Sequence, residues 1–343
     1  MLAAARWHAG LLRADLRYAA RGAGGRRMRA LRLLRLVTAP LFWGRDIWLV
    51  GERADSAADN GLHLFRYLRV HEPRRRAYYV IDAASPSFSL VRRLGHTVAH
   101  SSLRHEFLML HASVMAHAHS AHHMLPRHWD RQAYTTRLAW RIGALQVFLQ
   151  HGVHLSPNAV NRGSSGYDVF LTSARRESEA LREVSGYDAQ LAEVGLPRFD
   201  ALRPTPPSRL ILFKATWRRY LPSRVFGTRP EHDAFAGSAY ERFFTDLLHS
   251  RRLQELLEAH NYRFVFVPHY NVAPFFTAAA TASDRITVAA AGGTDLQALI
   301  RRSDVFMTDH SSVHFDAAYL GTPVIYARFD RDEYESRHAA PSW

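Results

Sequence analysis

The sequence predicts two open α/β domains of unequal size, each built on a parallel sheet. Three observations carry this. Short β-branched and aromatic runs recur along the chain, helical patterns stand between several of them, and one proline-rich stretch interrupts the alternation. Strands alternating with helices are the rhythm of a parallel sheet with crossover helices.

A basic segment precedes the alternation. The first 36 residues hold nine arginines and a single acid, Asp15, with Trp7 and eight leucines. Such a segment reads either as an amphipathic arm lying on an anionic bilayer or as a solvated helix or disordered arm. It is placed at residues 1–45. Strand-like runs then follow: "DIWLVG", "RAYYVID", "HTVAH", "SVMAHAH", "LQVFLQHG", "DVFLTS" and "QLAEVG", with "NGLHLFRYLRV" and "ARRESEALREVSG" as helices. The stretch "LRPTPPSR" reads as a linker. It places one domain at 46–205 and a second at 206–343. The second domain opens on "RLILFKATW" and runs a helix through "YERFFTDLLHSRRLQELLEAH". It continues with "RFVFVPHY", "RITVAA", "DLQALIRR", "DVFMTD", a helix after Ser312, and "PVIYARF".

The chain has 343 residues and 47% hydrophobic content, enough for two cores. A net charge of +14 points to a phosphate-rich partner: anionic lipid, nucleotide or nucleic acid. The absence of cysteine excludes disulfides and thiolate metal sites. The longest apolar run, "LVTAPLFWGRDIWLVG", is broken by Pro40, Arg45 and Asp46, short of the ~20 residues of a spanning helix. No secretory signal opens the sequence, so the reading is cytoplasmic.

Chemistry is expected where strands end, because ligands of open α/β sheets bind outside the carboxyl ends of their strands. "VFLQHG" ends in Gln150, His151 and Gly152, placing an imidazole to act as base or to serve structure. "GLPRFD" offers Arg198 to a phosphate or to Asp200. "ILFKATWRR" brings Thr216 and Arg218 to a diphosphate, or simply makes a turn with solvated arginines. "FVFVPHY" ends in His269. In "FMTDHSSVHFDAA", Ser311 and Ser312 stand between a strand and a helix, as anion donors or as simple N-caps, and Asp316 follows one turn later. The cluster His111, His117, His119, His122, His123 and His128 invites a metal reading. It has no carboxylate before Asp130 and no ligand-motif spacing, so no metal is expected. A P-loop is absent as well.

Together these stretches resemble the CDP-glycerol glycerophosphotransferase family of teichoic-acid-type polyol-phosphate transferases. The resemblance runs in order from "IWLVGERADSAADNGLHLFRYLR", with Asp59, Asn60 and Phe65, through "FLQHGV", "DVFLTSARRESEALREVSGYDAQLAEVGLPRFD", "ILFKATWR" and "FVFVPHYN" to "LIRRSDVFMTDHSSVHFDAAYLGTPVIY". It covers about 46 to 335. It implies a GT-B-like pair of Rossmann-type domains. It also implies in-line transfer of a polyol phosphate, glycerol phosphate first, from a CDP-activated donor to a hydroxyl on a lipid-linked or polymeric acceptor, with release of CMP. Carried over by position, His151 is the base and His269 contacts or protonates the donor phosphate. Arg198, Thr216 and Arg218 are phosphate-side groups, Ser311 and Ser312 donate to the diphosphate, and Asp316 lies near the ribose. No cofactor is implied, and no nucleic acid is expected. The basic arm would hold the enzyme peripherally on the inner face of the cell membrane. His310, Ala215 and Tyr270 stand where the family has tyrosine, proline and proline. The family continues through further donor-domain helices past the point where this sequence ends, so the second domain reads as shortened. Two other readings stand beside this one. One is a nucleotide-sugar glycosyltransferase of the same fold. The other is a basic membrane- or nucleic-acid-binding protein without catalysis.

Overall fold

The computed structural model describes residues 13, 22–129, 134, 143–155, 160–223, 233–276, 283–289 and 295–338. The chain forms two compact units. One comprises Met1–His151 and Asn158–Arg198, the other Gly152–Pro157 and Phe199–Trp343.

In the first unit, helix α1 (Gly22–Phe42) leads into strand β1 (Ile47–Gly51). There follow α2 (Asn60–His71), β2 (Arg76–Ile81), α3 (Phe88–Leu94), β3 (Thr97–Ala99), α4 (Leu103–His111) and β4 (Val114–His117). Then come β5 (Leu145–Phe148), β6 (Val169–Thr172), α5 (Arg175–Val184) and β7 (Leu191–Glu193). The seven strands lie in the order β3-β2-β1-β4-β5-β6-β7, and every neighbouring pair is parallel. Alternation along the strands splits the core in two. Leu49 and Val80 belong to one cluster with Met109 and Met115, while Val50, Tyr79 and Ile81 belong to the other with Phe65 and Val91. Both faces of the sheet are thereby covered, which explains the nearly continuous apolar strands.

Of the basic arm, residues 22–42 form α1, a 21-residue helix that packs against α4. Met28 is buried in the core, Arg27 pairs with Glu106 at 2.9 Å, and Phe42 stacks on His111 at 4.0 Å. The part of the arm before Gly22, Arg13 apart, lies outside the described residues. Among the described residues no helix is long and apolar enough to cross a membrane.

The second unit begins with β8 (Leu210–Lys214), followed by α6 (Ala239–Leu248), α7 (Arg251–Ala259), β9 (Arg263–Val267) and β10 (Ile286–Val288). It ends with α8 (Leu296–Arg302), β11 (Val305–Thr308), α9 (His314–Tyr319), β12 (Val324–Tyr326) and α10 (Arg331–Arg337). Its five parallel strands run β10-β9-β8-β11-β12. The stretch expected as one helix through Tyr240–His260 is two. Ser250 takes an extended conformation and its hydroxyl accepts from the Leu253 amide at 3.2 Å, so it caps a new helix instead of continuing the old one. A cluster of Phe213, Phe244, Phe264, Phe266 and Phe276 fills one side of this sheet.

Each sheet has one place where strand order reverses. After β3 the chain returns to β4 beside β1, and after β10 it returns to β11 beside β8. Loops leaving such a pair in opposite directions open a crevice at the carboxyl ends of the strands.

Candidate functional site

In the first unit the crevice lies between the ends of β1 and β4, with β5 next to it. Gly61, in the first turn of α2, allows the close approach that builds it: a Cβ there would stand 2.6 Å from the Gly51 carbonyl oxygen. The N-terminus of α2 is held by Glu52, which is buried and accepts from the amides of Ala58, Asp59 and Leu62 at 2.8–2.9 Å. Burial, then the charge of Asp59, push the Glu52 carboxyl up to about 7, against the lowering effect of the three amides.

Asn60 is the hub of this crevice. Its side chain donates to the carbonyls of Leu149 and Gln150 at 3.2 and 2.7 Å, and its oxygen accepts from the Arg198 amide at 3.0 Å. The Arg198 guanidinium is buried and pairs with Asp59 at 2.9 Å. Gln150 occupies the left-handed region, φ 61°, a conformation uncommon for a residue other than glycine. It is buried, and its amide nitrogen donates to the Leu171 carbonyl. This turn delivers His151 to the end of the strand. The ring stacks on His119 at 4.7 Å and keeps an exposed surface. The crowded protein around it lowers its pKa. Asp59 opposes that shift, Arg198 reinforces it, and a hydrogen bond to the Ala118 backbone again opposes it. A neutral imidazole near pH 7 is the form a general base needs. The metal reading of the histidines meets a different arrangement. His111 stacks on Phe42, His119 on His151, and His128 lies 3.0 Å from Glu106.

In the second unit the crevice lies between the ends of β8 and β11. Asp309 organises it. One carboxylate oxygen accepts from the amides of Thr216 and His310 at 2.9 and 2.7 Å, and the other accepts from Arg218 at 2.9 Å. Arg218 is fully buried. It also makes a fork with both oxygens of Asp330, at 2.6 and 2.9 Å, and donates to the Thr216 carbonyl. The guanidinium expected beside a diphosphate is therefore committed to two carboxylates inside the protein. Burial alone would raise the Asp330 pKa, but the His310 ring 3.7 Å away and the Arg218 guanidinium hold it down at about 2. Thr216 contrasts with Arg218: its hydroxyl oxygen is buried and has no hydrogen-bond partner among the described residues. Orphaned buried hydroxyls are uncommon in folded proteins, and this one sits where a ligand is expected.

Ser311 and Ser312 lie in the loop after β11 and precede Val313, the capping residue of α9, whose side chain caps nothing. Ser311 is not a tight N-cap; its hydroxyl lies 3.4 Å from the Val313 amide. Gly152 of the same unit is so close to Ser312 that a Cβ would stand 2.5 Å from its Oγ, so a larger residue there would have to displace the serine hydroxyl. Asp316 is buried in the first turn of α9. His269 follows β9. Its Nδ1 accepts from the Asn271 amide at 3.2 Å, which makes Nε2 the protonated nitrogen of the neutral ring, and Trp217 stacks on it at 6.1 Å. Lys214 braces the turn before His269 by donating to the Val267 and Pro268 carbonyls at 3.5 and 3.2 Å. Burial brings its pKa down to about 8, with Asp309 opposing.

The structure thus gathers His151 and Arg198 in the first unit, and Thr216, Arg218, Ser311 and Ser312 around the switch point of the second. The organising roles of Asn60, Asp309 and Asp330 are absent from the sequence reading. Asn60 had a legible signal, a polar residue directly after the N-cap Asp59. Asp330 had none, being 112 residues from Arg218.

Comparison with known proteins adds to this geometry. Residues 37–339 match the family described as CDP-glycerol:poly(glycerophosphate) glycerophosphotransferase. The minor teichoic acid biosynthesis protein GgaB of Bacillus subtilis (strain 168) is 27% identical over 299 residues, 85% of this chain and 33% of GgaB. The chain spans about a third of the length of that relative. The structure of the wall teichoic acid polymerase TagF aligns with a TM-score of 0.63 at 16% identity, covering 98% of this chain and 83% of that one. A TagF variant soaked with CDPG aligns with a TM-score of 0.62 at 16% identity, covering 95% and 81%. At these identities the alignments show the fold, a GT-B-like pair of Rossmann-type domains.

Proposed function

This chain belongs to the CDP-glycerol:poly(glycerophosphate) glycerophosphotransferase family, and from that premise we propose that it transfers a polyol phosphate from a CDP-activated donor to an acceptor hydroxyl, releasing CMP. Glycerol phosphate is the first choice of group, and the acceptor is a lipid-linked or cell-surface polymer. Support comes from the family match and from the sources of two similar proteins: GgaB is a teichoic acid biosynthesis protein and TagF a wall teichoic acid polymerase solved with CDPG. The observation that carries the reading here is the unpartnered Thr216 hydroxyl beside the Asp309–Ser312 loop, at the switch point where a nucleotide diphosphate binds in this class of sheet.

In the step proposed, the acceptor oxygen attacks the phosphorus that carries the polyol. A new P–O bond forms, the bridging P–O bond of the diphosphate breaks, and the bridging oxygen leaves with CMP. His151 takes the proton of the acceptor hydroxyl. His269, with its proton on Nε2, donates to the departing phosphate. Thr216, Ser311 and Ser312 supply hydroxyl donors to the diphosphate, and Asp316 accepts from the ribose. Arg218 and Arg198 act from behind. Arg218 holds Asp309 and through it the Thr216 backbone, and Arg198 holds the loop that presents His151. Phosphoryl transfer is mostly positioning and charge stabilisation, so rigidly held donors are what the chemistry asks of a protein.

The basic helix α1 supports a peripheral position on the inner face of the cell membrane, where a lipid-linked acceptor would be met.

The test is incubation with CDP-glycerol, CDP-ribitol and UDP-sugars alongside a soluble polyol-phosphate acceptor. Release of CMP is expected; release of UDP alone would replace this reading with the glycosyltransferase one. Thr216→Val should leave the melting temperature unchanged, because no internal bond is lost, while weakening CDP binding by roughly 10-fold or more, since hydrogen bonds to charged groups are worth ~1.5–3 kcal/mol.

A further inference from the structure

Helix α1 is apolar on two sides. Met28, Leu31 and Phe42 pack into the core of the first unit. The other side carries Leu33, Leu36, Val37, Pro40 and Leu41, spaced i, i+3, i+4, i+7 and i+8, which places them in one stripe. Leu33, Val37 and Leu41 are 63%, 77% and 65% exposed, and Trp43, just past the helix, is 88% exposed. A single exposed leucine needs no explanation; a continuous stripe ending in a bare indole does. The helix holds five arginines and no acid.

Directly beyond Trp43 the chain enters a surface recess of about 340 Å³, lined by Gly44, Arg45, Asp46, Glu72, Arg74, Arg75 and Arg76. Its acids are already engaged. Asp46 accepts from Arg75 at 2.7 Å, from the Trp48 indole at 2.9 Å and from the Ser113 hydroxyl. Glu72 lies 3.7 Å from the same Arg75. Arg45, Arg74 and Arg76 are exposed, and their guanidinium groups have no acidic partner among the described residues. The recess therefore sets four guanidinium groups against two carboxylates, an excess of positive charge, beside an apolar edge that ends in tryptophan.

That juxtaposition matches one partner chemistry. At a bilayer interface, aliphatic side chains enter the acyl region, tryptophan sits at headgroup level and guanidinium groups bind phosphate oxygens. A nucleic acid would satisfy the arginines but leave the aliphatic stripe in water. We infer that Arg45, Arg74 and Arg76 form a headgroup site for an anionic phospholipid, with the Leu33–Trp43 edge inserted beside it. The inference deepens the membrane-surface part of the proposed function and is independent of the transfer chemistry. The recess lies at the amino ends of β1 and β2, whereas His151 lies beyond the carboxyl end of β5. Five residues of strand, about 17 Å, separate the two edges of the sheet.

The experiment is co-sedimentation of the full chain with equimolar phosphatidylglycerol–phosphatidylcholine vesicles and with pure phosphatidylcholine vesicles. Binding to the anionic vesicles is expected. Arg74→Gln with Arg76→Gln should reduce it roughly 30-fold, at ~1 kcal/mol per basic residue near the surface. Val37→Ser with Leu41→Ser should reduce binding to both. Quenching of tryptophan fluorescence by brominated lipid should largely disappear in Trp43→Phe. Undiminished binding of the arginine variant, with circular dichroism unchanged, overturns the site. So does displacement from anionic vesicles by inorganic phosphate at constant ionic strength, which would assign the recess to soluble phosphate. CMP release measured on the same variants should be unchanged. Its absence in the unaltered chain would count against the transfer reading and leave the vesicle result standing.

Discussion

The two switch points solve one problem with different amounts of buried charge. Both must fix a loop at the end of a strand, and both use a guanidinium–carboxylate clamp. In the first unit Arg198 is buried, but its partner Asp59 keeps 22% of its side-chain surface. In the second, Arg218 and Asp309 are wholly buried and Asp330 nearly so, and Tyr240, Phe329 and Tyr334 surround the guanidinium within 5.5 Å. The difference fits the work proposed for each crevice. A base that exchanges a proton, the role proposed for His151, is served by partly open surroundings. Groups proposed to hold a diphosphate are served by a buried, fully bonded network that fixes them.

The largest effect should come from the open side. His151→Ala is expected to slow CMP release by ~10²–10⁴-fold, the usual contribution of a positioned base. CDP affinity measured by titration should stay within a few-fold. A variant with near-normal turnover would remove His151 from the base role and erase the functional half of the contrast.

The closed side should dominate stability. Arg218→Met strands two buried carboxylates, so urea unfolding should show a loss of ~3–5 kcal/mol. Arg198→Met should cost less, because Asp59 can rehydrate. Equal losses in the two variants would break the comparison, since burial would then not distinguish the clamps.

Lys214 sharpens it through pH. Its pKa falls from 10.5 to about 8 on folding, so between those values the folded chain has released a proton that the unfolded chain still holds. Stability contributed by this group therefore rises with pH across that window, by up to ~3 kcal/mol, and is absent below pH 8. In Lys214→Met the rise should vanish; an unchanged pH slope would show that the ammonium is not desolvated in the closed crevice.

What the sequence by itself determined is mostly periodic or local. Runs such as "RAYYVID" and "RFVFVPHY" announce buried parallel strands because each is covered on both faces and so reads apolar without alternation. The placement of His151, Thr216 and Ser311 at strand ends was legible for the same reason: a polar group that terminates an apolar run must sit at the sheet edge. The break at Ser250 was legible only in hindsight, since a serine inside a helical pattern is ambiguous until its cap bond is seen. Only the tertiary structure decided the partners. Arg198 pairs with Asp59 across 139 residues and Arg218 with Asp330 across 112, so arginines that the sequence offers to phosphate are spent inside the protein. Thr216 keeps the unpartnered hydroxyl. The sequence marked the arm as amphipathic, and packing against α4 decided which side of α1 is buried. The physical reason is common to all of these. Periodicity records whether a position faces the core, whereas ion pairs, orphaned hydroxyls and exposed stripes depend on which distant segment arrives opposite, and that is a property of the folded pair.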